Sequence, residues 1–356
     1  MTVYTNKARQ TEYSDISVFY NPEDVLVFDI ETTGFAAETT ILYMIGCAYY
    51  EEGDFVIKQW FNDDGESEER MLDEFMDTVS RYKMLFSYNG DGFDIPYLMK
   101  KLKEHFIKAD FADIESVDLY KELRHMKDIL HLDNLKQKTV ESFLGIKRLD
   151  KYSGGDLIKV YDTFLKTGGE KEKKLLLQHN YEDIEGFITC CSMLAYNRLR
   201  MGDFEVVKMQ VRENHLVFSL HLNHQVPKRF NISVSAILIT GYKDEATITA
   251  PIYKDELKFF FDNYRDYYYL PAEDMAVHKS VAGFVDAGYR EKAKKETCYV
   301  RKEGYYISQV DDGIVSGYKK NYRDKESYIA LVDSFLKDKG LITAYARHVV
   351  KKAFDK

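Results

Sequence analysis

Val25-Leu-Val-Phe-Asp-Ile-Glu-Thr-Thr-Gly34 is the stretch on which the reading of this chain turns. Its first four residues are apolar, as a buried strand requires, and the run ends in an Asp-x-Glu and a glycine turn. In a strand, residues two apart project to the same face, so Asp29 and Glu31 aim together. Like charges side by side destabilise a strand unless a cation neutralises them. A solvated Asp-x-Glu at a strand end is a common surface feature. A carboxylate pair adjoining a buried strand, however, needs a partner.

Working outward, Ile41–Tyr50 and Asp54–Phe61 read as two strands joined by the short turn Glu51-Glu52-Gly53, an antiparallel hairpin. Ser67 is placed to cap a helix reaching about Arg81, with Met71, Leu72, Phe75, Met76 and Val79 on one face. Lys83–Tyr88 reads as a fourth strand and Val117–Leu119 as a short fifth. Between them a helix starts near Phe93, with Pro96 tolerated in its first turn. A long helix from Lys171 to about Arg200 carries Leu175, Leu176, His179, Asp183, Phe187 and Cys190 at spacings of three and four. This order of elements predicts an α/β fold with a mixed sheet flanked by helices. Sites in such sheets tend to lie beyond the carboxyl ends of strands, where Asp29 and Glu31 fall.

The chain has 356 residues, enough for two domains that each bury a core. Its first ten residues are polar and lack the apolar run of a signal peptide, and no apolar stretch is long enough to span a bilayer. The four cysteines, Cys47, Cys190, Cys191 and Cys298, form no C-x-x-C pair and have no histidine at zinc spacing. Free thiols and a cytoplasmic location are the expectation. Net charge is −9 and uneven: residues 1–200 hold 25 Lys plus Arg against 37 Asp plus Glu, the remainder 25 against 22. That is not the basic profile of a tight, non-specific DNA binder, yet bound cations would offset an acidic site, so charge leaves the substrate open.

Two further stretches carry chemistry. Ser87-Tyr-Asn-Gly-Asp-Gly-Phe-Asp-Ile-Pro-Tyr-Leu98 places Asp94 at a helix start, where a carboxylate serves the helix dipole equally well. Its Asn89, Gly90 and Gly92 suit either a tight turn or close approach to a ligand. In His179-Asn-Tyr-Glu-Asp-Ile-Glu185, His179 and Asp183 are four apart and share a helix face, as a metal ligand with a neighbouring base would, or as an ordinary surface contact would.

Taken in order, the three stretches resemble the DEDD, or DnaQ-like, superfamily of 3′–5′ exonucleases with the ribonuclease H-like fold, and within it the YprB-like branch. The resemblance runs from about Val25 to Leu199 and includes Leu135-Lys-Gln-Lys-Thr-Val-Glu-Ser-Phe-Leu-Gly-Ile-Lys-Arg148. It implies a two-metal nuclease using Mg²⁺ or Mn²⁺. Asp29 would bridge the two ions, Glu31 and Asp183 would hold the nucleophile-side ion, and Asp94 the second. Thr32, Asn89 and Phe93 are the implied substrate contacts, with Asn89 near the scissile end of the strand. The implied reaction removes nucleoside 5′-monophosphates from the 3′ end of single-stranded or frayed DNA or RNA. Superfamily members usually carry Tyr four residues before the last Asp, or His five before it. Here His179 is four before Asp183 and Tyr181 only two, so His179 is the expected residue to orient or deprotonate the attacking water.

On this reading residues 1–203 form the exonuclease domain, with a core of about 23–200, and residues 204–356 an α+β accessory domain of unknown role. In the latter, Val206–Val211 pairs with His215–Leu222, and Ser235–Thr240 with Ala246–Tyr253. A helix near Lys254–Asn263, the aromatic run Tyr267–Pro271, a helix over about Ala272–Val285, a hairpin turn at Lys302-Glu303-Gly304 and two closing helices complete it. Glu273, Asp274 and His278 on the second of those helices suggest a further metal site or, more simply, a solvated face. Tyr267–Tyr269, Arg290–Lys295 and Arg301–Lys302 could stack bases and hold phosphates, or be core tyrosines with a basic rim. Two alternatives to the exonuclease remain: a nucleic-acid-binding module with little activity, and a structure-specific endonuclease with the same metals. No membrane association is expected, and the sequence does not point to a protein partner.

Overall fold

The structure is a computed structural model describing residues 1–13, 15–311 and 313–355. The chain divides into two compact units, Met1–Asn197 with Val226–Lys228, and Arg198–Gln225 with Arg229–Lys356. Among the described residues, no helix is long and apolar enough to cross a membrane.

The first unit is built on a six-stranded mixed sheet. Its strands are β1 (Thr2–Lys7), β2 (Val25–Thr32), β3 (Leu42–Glu51), β4 (Asp54–Phe61), β5 (Met84–Ser87) and β6 (Glu115–Asp118), in the order β1-β4-β3-β2-β5-β6. The predicted hairpin is present, and its turn is tight: Glu52 and Gly53 both have positive φ (50° and 93°), the geometry that matches strand twist in a two-residue connection. β2 sits at the centre, antiparallel to β3 and parallel to β5. The edge strand β1, antiparallel to β4, lies in the stretch read only as polar.

Helices α1 (Glu68–Val79) and α2 (Asp94–Glu104) cover one face. Leu26, Phe28 and Ile30 of β2 point into them, against Met71, Leu72, Phe75, Leu98 and Leu102. Ser67 stands at the N-cap position of α1 but does not cap it; its hydroxyl donates to Asp64 Oδ2 at 2.5 Å instead. Buried Glu68 knits the layer together, accepting from Leu42 N at 2.7 Å and meeting Lys101 Nζ at 2.9 Å and His105 Nε2 at 2.8 Å.

The chain then forms a short α3 (Leu119–Glu122), α4 (Gln137–Leu144), α5 (Gly154–Thr167), α6 (Glu170–Cys190) and α7 (Leu194–Arg200). Tyr161 and Phe164 of α5 and Leu176 of α6 pack with Tyr43, Met44 and Phe61 of the sheet. The expected single helix from Lys171 to Arg200 is interrupted: a 3-10 turn over Cys191–Met193 separates α6 from α7. All four cysteines are buried and unbridged.

In the second unit, β7 (Phe204–Arg212), β8 (His215–Val234) and β9 (Ile237–Pro251) form one sheet. β10 (Tyr253–Phe260), β11 (Tyr267–Leu270), β12 (Met275–His278), α8 (Lys279–Ala282), β13 (Glu291–Lys292), β14 (Tyr299–Ser308), β15 (Tyr328–Ala330), α9 (Asp333–Leu336) and α10 (Lys339–Phe354) follow. Hence the β7–β8 hairpin and the two closing helices are where the sequence puts them. Four expectations fail. Ser235–Thr240 and Ala246–Tyr253 are not partners, because β9 runs through both and turns back onto β8 at Ser235 and Ala236. Lys254–Phe260 is a strand rather than a helix. Its ladder with β14 sets like charges opposite one another, Glu256 across from Glu303, and relieves them by diagonal pairs, Arg301–Glu256 at 3.2 Å and Lys254–Glu303 at 3.6 Å. Lys302-Glu303-Gly304 lies inside β14, not at a turn.

The helix expected over Ala272–Val285 is instead a hairpin turn, the strand β12 and the four-residue α8. Asp274 takes a positive φ of 49° in that turn and accepts from Tyr269 Oη at 2.5 Å, while His278 accepts from Ser280 N at the start of α8. Glu273, Asp274 and His278 therefore share no helix face. Tyr267 stacks on Phe261 with centroids 4.7 Å apart, and Arg290 lies 4.9 Å from the Tyr268 ring, so these aromatics are engaged within their own unit.

Candidate metal centre

β2 delivers two carboxylates at its carboxyl end. Each is held by a neighbour that the fold brings to it. Asp29 pairs across the ladder with Gly46 of β3, and Gly46 in turn with Gln59 of β4. A side chain at position 46 would strike Asn180: a Cβ there would sit 2.1 Å from Asn180 Oδ1. Glycine thus opens the gap through which Asn180 of α6 reaches the sheet, donating from Nδ2 to Asp29 Oδ2 (3.1 Å) and accepting from Gln59 Nε2 (3.0 Å). Glu31, 8 % exposed, receives the Tyr43 hydroxyl at 3.3 Å, and the Tyr43 ring is itself fixed by stacking on Tyr161 at 4.5 Å.

Asp94 enters from the first turn of α2. β5 pairs with β2 only over Val25–Val27, so the Ile30 amide on that side lacks a strand partner, and Asp94 Oδ1 accepts it at 3.3 Å. The dipole explanation of Asp94 is therefore incomplete, because its carboxyl points back at the strand carrying Asp29 and Glu31.

α6 supplies His179 and Asp183, one turn apart as expected. His179 is buried, with Nε2 3.1 Å from Asp183 Oδ2 and 3.5 Å from Glu31 Oε1. Its other ring nitrogen, Nδ1, lies 2.6 Å from Asp150 Oδ2. The second oxygen of Asp183 takes the Arg148 guanidinium, which also grips Glu141 through Nε at 2.5 Å and Nη2 at 3.0 Å. Gln137 of α4 donates to the Asp183 backbone carbonyl at 2.7 Å. α4 can approach α6 this closely because Gly186 faces Glu141, where a Cβ would lie 2.2 Å from Glu141 Oε1.

The electrostatics follow from crowding acids in a sheltered place. Burial, then the charges of Glu31, Asp183 and Asp94, push the Asp29 carboxyl well above the carboxylate range. Burial also lifts Glu31 to about 7, against the pull of His179, and Asp94 to about 7, against the Ile30 amide. Asp150 behaves oppositely: burial opposes it, but the Tyr152 amide and His179 together hold it below its ordinary value. Mutually repelling oxygen donors of this kind suit a divalent cation, and Glu31, His179 and Asp183 each place one ligand atom within 4.8 Å of the others.

Thus the structure brings Asp29, Glu31, Asp94, His179 and Asp183 together. Of the three implied substrate contacts, Thr32 ends β2, and Asn89 and Phe93 lie in the loop before α2. Thr32 Oγ1 donates to Gly34 O at 2.8 Å and shapes the turn after β2. Asn89, exposed at φ 65°, begins the turn into α2. Phe93 packs edge-on against Phe35, which is 91 % exposed. Sequence reasoning missed Asn180, Asp150, Arg148, Glu141 and Tyr43. Arg148 closes the stretch quoted for the resemblance, and Asn180 adjoins His179, so both were near signals already in view.

Residues 26–194 match the RNase_H superfamily. DNA polymerase 1 of Aeropyrum pernix is 32 % identical over 91 residues, 26 % of this chain and 9 % of the polymerase. The chain therefore corresponds to less than a tenth of that relative's length. Among solved structures, the family B DNA polymerase of the hyperthermophilic archaeon Pyrobaculum calidifontis aligns over 68 % of this chain and 35 % of its own, with 14 % identity and a TM-score of 0.40. Every residue gathered around Asp29 lies within the stretch from 26 to 194 that matches the RNase H superfamily, a stretch built on the mixed sheet flanked by helices.

Proposed function

We propose that this chain is a divalent-metal-dependent 3′–5′ exonuclease acting on single-stranded or frayed nucleic acid. The observation that carries the reading is the convergence of Asp29, Glu31, Asp94 and Asp183 at the carboxyl end of β2, from three separated stretches of an RNase H superfamily domain. The 91-residue similarity to a DNA polymerase supports a nucleic-acid substrate. Asp29 feels the charges of Glu31, Asp183 and Asp94, Glu31 and Asp183 flank His179, and Asp94 completes the set from α2. Divalent cations held there would activate water and stabilise the departing oxygen of a phosphodiester.

The protein's own share is positioning. Asn180 fixes the rotamer of Asp29, Tyr43 that of Glu31, the Ile30 amide that of Asp94 and Arg148 that of Asp183, while Gln137 holds the Asp183 backbone carbonyl. Phe35, exposed and braced by Phe93, offers a ring on which a terminal base can stack. The test is digestion of labelled single-stranded DNA and RNA, linear and circular, with Mg²⁺, Mn²⁺ or chelator. Stepwise ladders from the 3′ end of linear substrate, absent with chelator, are expected. Cleavage of circles would make it an endonuclease.

A second reading has one observation in its favour. The Arg148 guanidinium already neutralises Asp183, which suits a nucleic-acid-binding module of low activity. Retained oligonucleotide binding without hydrolysis under every metal condition would decide for it.

A further inference from the structure

His179 is the residue expected from the sequence to orient or deprotonate the attacking water. It is 5 % exposed, and its Nε2 is wedged between two carboxylates. We propose that His179 is itself a metal ligand, completing with Glu31 and Asp183 a mixed nitrogen–oxygen site that favours a first-row transition ion such as Mn²⁺ over Mg²⁺. This rests on the reading above that the carboxylate cluster holds divalent cations.

Three observations support it. Spacing is the first. Donor atoms about 2.1 Å from one octahedral ion lie roughly 3 Å apart at right angles to one another. The Nε2 separations of 3.1 Å to Asp183 Oδ2 and 3.5 Å to Glu31 Oε1 are close to that, and all three donors fall within 4.8 Å.

The second is the tautomer. An ionised carboxylate only accepts hydrogen bonds, so the 2.6 Å contact with Asp150 puts a proton on Nδ1, and a ring that carries no second proton has its lone pair at Nε2. That lone pair faces Glu31 and Asp183, an arrangement that a cation between them resolves. Histidine ligands to metals are oriented in this way, by a carboxylate on the far nitrogen.

The third is rigidity. Asp150 is a built support, not a passing surface acid: its side chain is 3 % exposed and accepts from Tyr152 N at 2.9 Å. Its own amide and that of Leu149 donate to Glu182 Oε2 on α6, at 3.0 and 3.1 Å. Asp150 is thus a positioning residue, tied to the helix that carries the ligand. An imidazole among oxygen donors strengthens binding of transition ions more than of Mg²⁺, which prefers oxygen and keeps its water.

The decisive measurement is electron spin-echo envelope modulation on the full chain loaded with Mn²⁺ alone. Wild-type protein is expected to show coupling to a directly bound ¹⁴N nucleus, which changes isotope signature when its histidines are labelled with ¹⁵N. His179→Gln should abolish the coupling and weaken Mn²⁺ more than Mg²⁺. Asp150→Asn should weaken Mn²⁺ by about 10- to 100-fold, the usual effect of losing an outer partner. Mn²⁺ bound in an Asp29-dependent manner but without nitrogen coupling would overturn the ligand role and leave the carboxylate site standing. Coupling that survives in His179→Gln would likewise overturn it, and absence of Mn²⁺ binding would overturn both. The wild-type spectrum needs no variant to fold.

Discussion

Gly46 stands directly across the β2–β3 ladder from Asp29, and its missing side chain is what lets α6 reach the sheet. Gly46→Ala places a methyl group 2.1 Å from the present position of Asn180 Oδ1. Asn180 must then retreat from Asp29. We expect a loss of about 1–3 kcal/mol in urea unfolding, as for other overpacked sites, together with at least tenfold weaker metal-dependent hydrolysis. Unchanged activity would mean that Asn180 does not set the geometry of Asp29.

Asp29→Asn is expected to separate function from stability. The substitution removes one of the repelling charges, so in chelator at pH 8 the variant should melt at or above the wild-type temperature while hydrolysis with Mg²⁺ or Mn²⁺ is lost. Wild-type-like turnover by this variant or by Asp29→Ala would remove the residue from the site.

The metal-free protein should be pH-sensitive in a defined direction. Glu31 and Asp94 keep their protons up to about 7 in the folded chain, whereas in the unfolded chain such groups ionise near 4. Between those values the folded state binds more protons than the unfolded state, so stability falls as pH rises. Thermal midpoints in chelator should therefore decline from pH 5 to pH 8. Mg²⁺ or Mn²⁺ should recover the loss at pH 8. A flat profile would show that the carboxylates do not repel one another as their burial implies.

Arg148 is the cation in a part-buried trio with Glu141 and Asp183. Arg148→Ala strands Glu141, 2 % exposed, beside Asp183, and should cost about 3–5 kcal/mol in chemical unfolding. The double variant Glu141→Gln/Arg148→Met should cost much less than the sum of the two single changes. Additive losses would deny the coupling.

Much of the site was legible because it obeys a period. Asp29 and Glu31 two apart on a strand, and His179 and Asp183 four apart on a helix, are placed by backbone geometry alone. What escaped lies where no period operates. Asp150 sits in the loop before α5, and nothing local marks it as the partner of a histidine 29 positions away. Gly46 and Asn180 gain meaning only once strand register and helix docking are fixed together. In the second unit, the turn from β8 to β9 is made by Ser235 and Ala236 at φ 43° and 63°, without the glycine or asparagine that announces such turns. The charged run Lys254–Phe260 resembles a helix in composition and becomes a strand because β14 supplies a ladder and compensating charges.

The central place of β2, with its acids answered by a helix some 150 residues further along, has a consequence for synthesis. The early hairpin and α1 can settle while the chain is still being made, but the acidic cluster stays incomplete until α6 has emerged and docked through the gap at Gly46. Contacts this distant in sequence form late, after the loop-closure cost between them is met. A nascent chain would therefore carry Asp29 and Glu31 as two ordinary acids, and the proposed metal-dependent hydrolysis would appear only after the last part of the domain has folded.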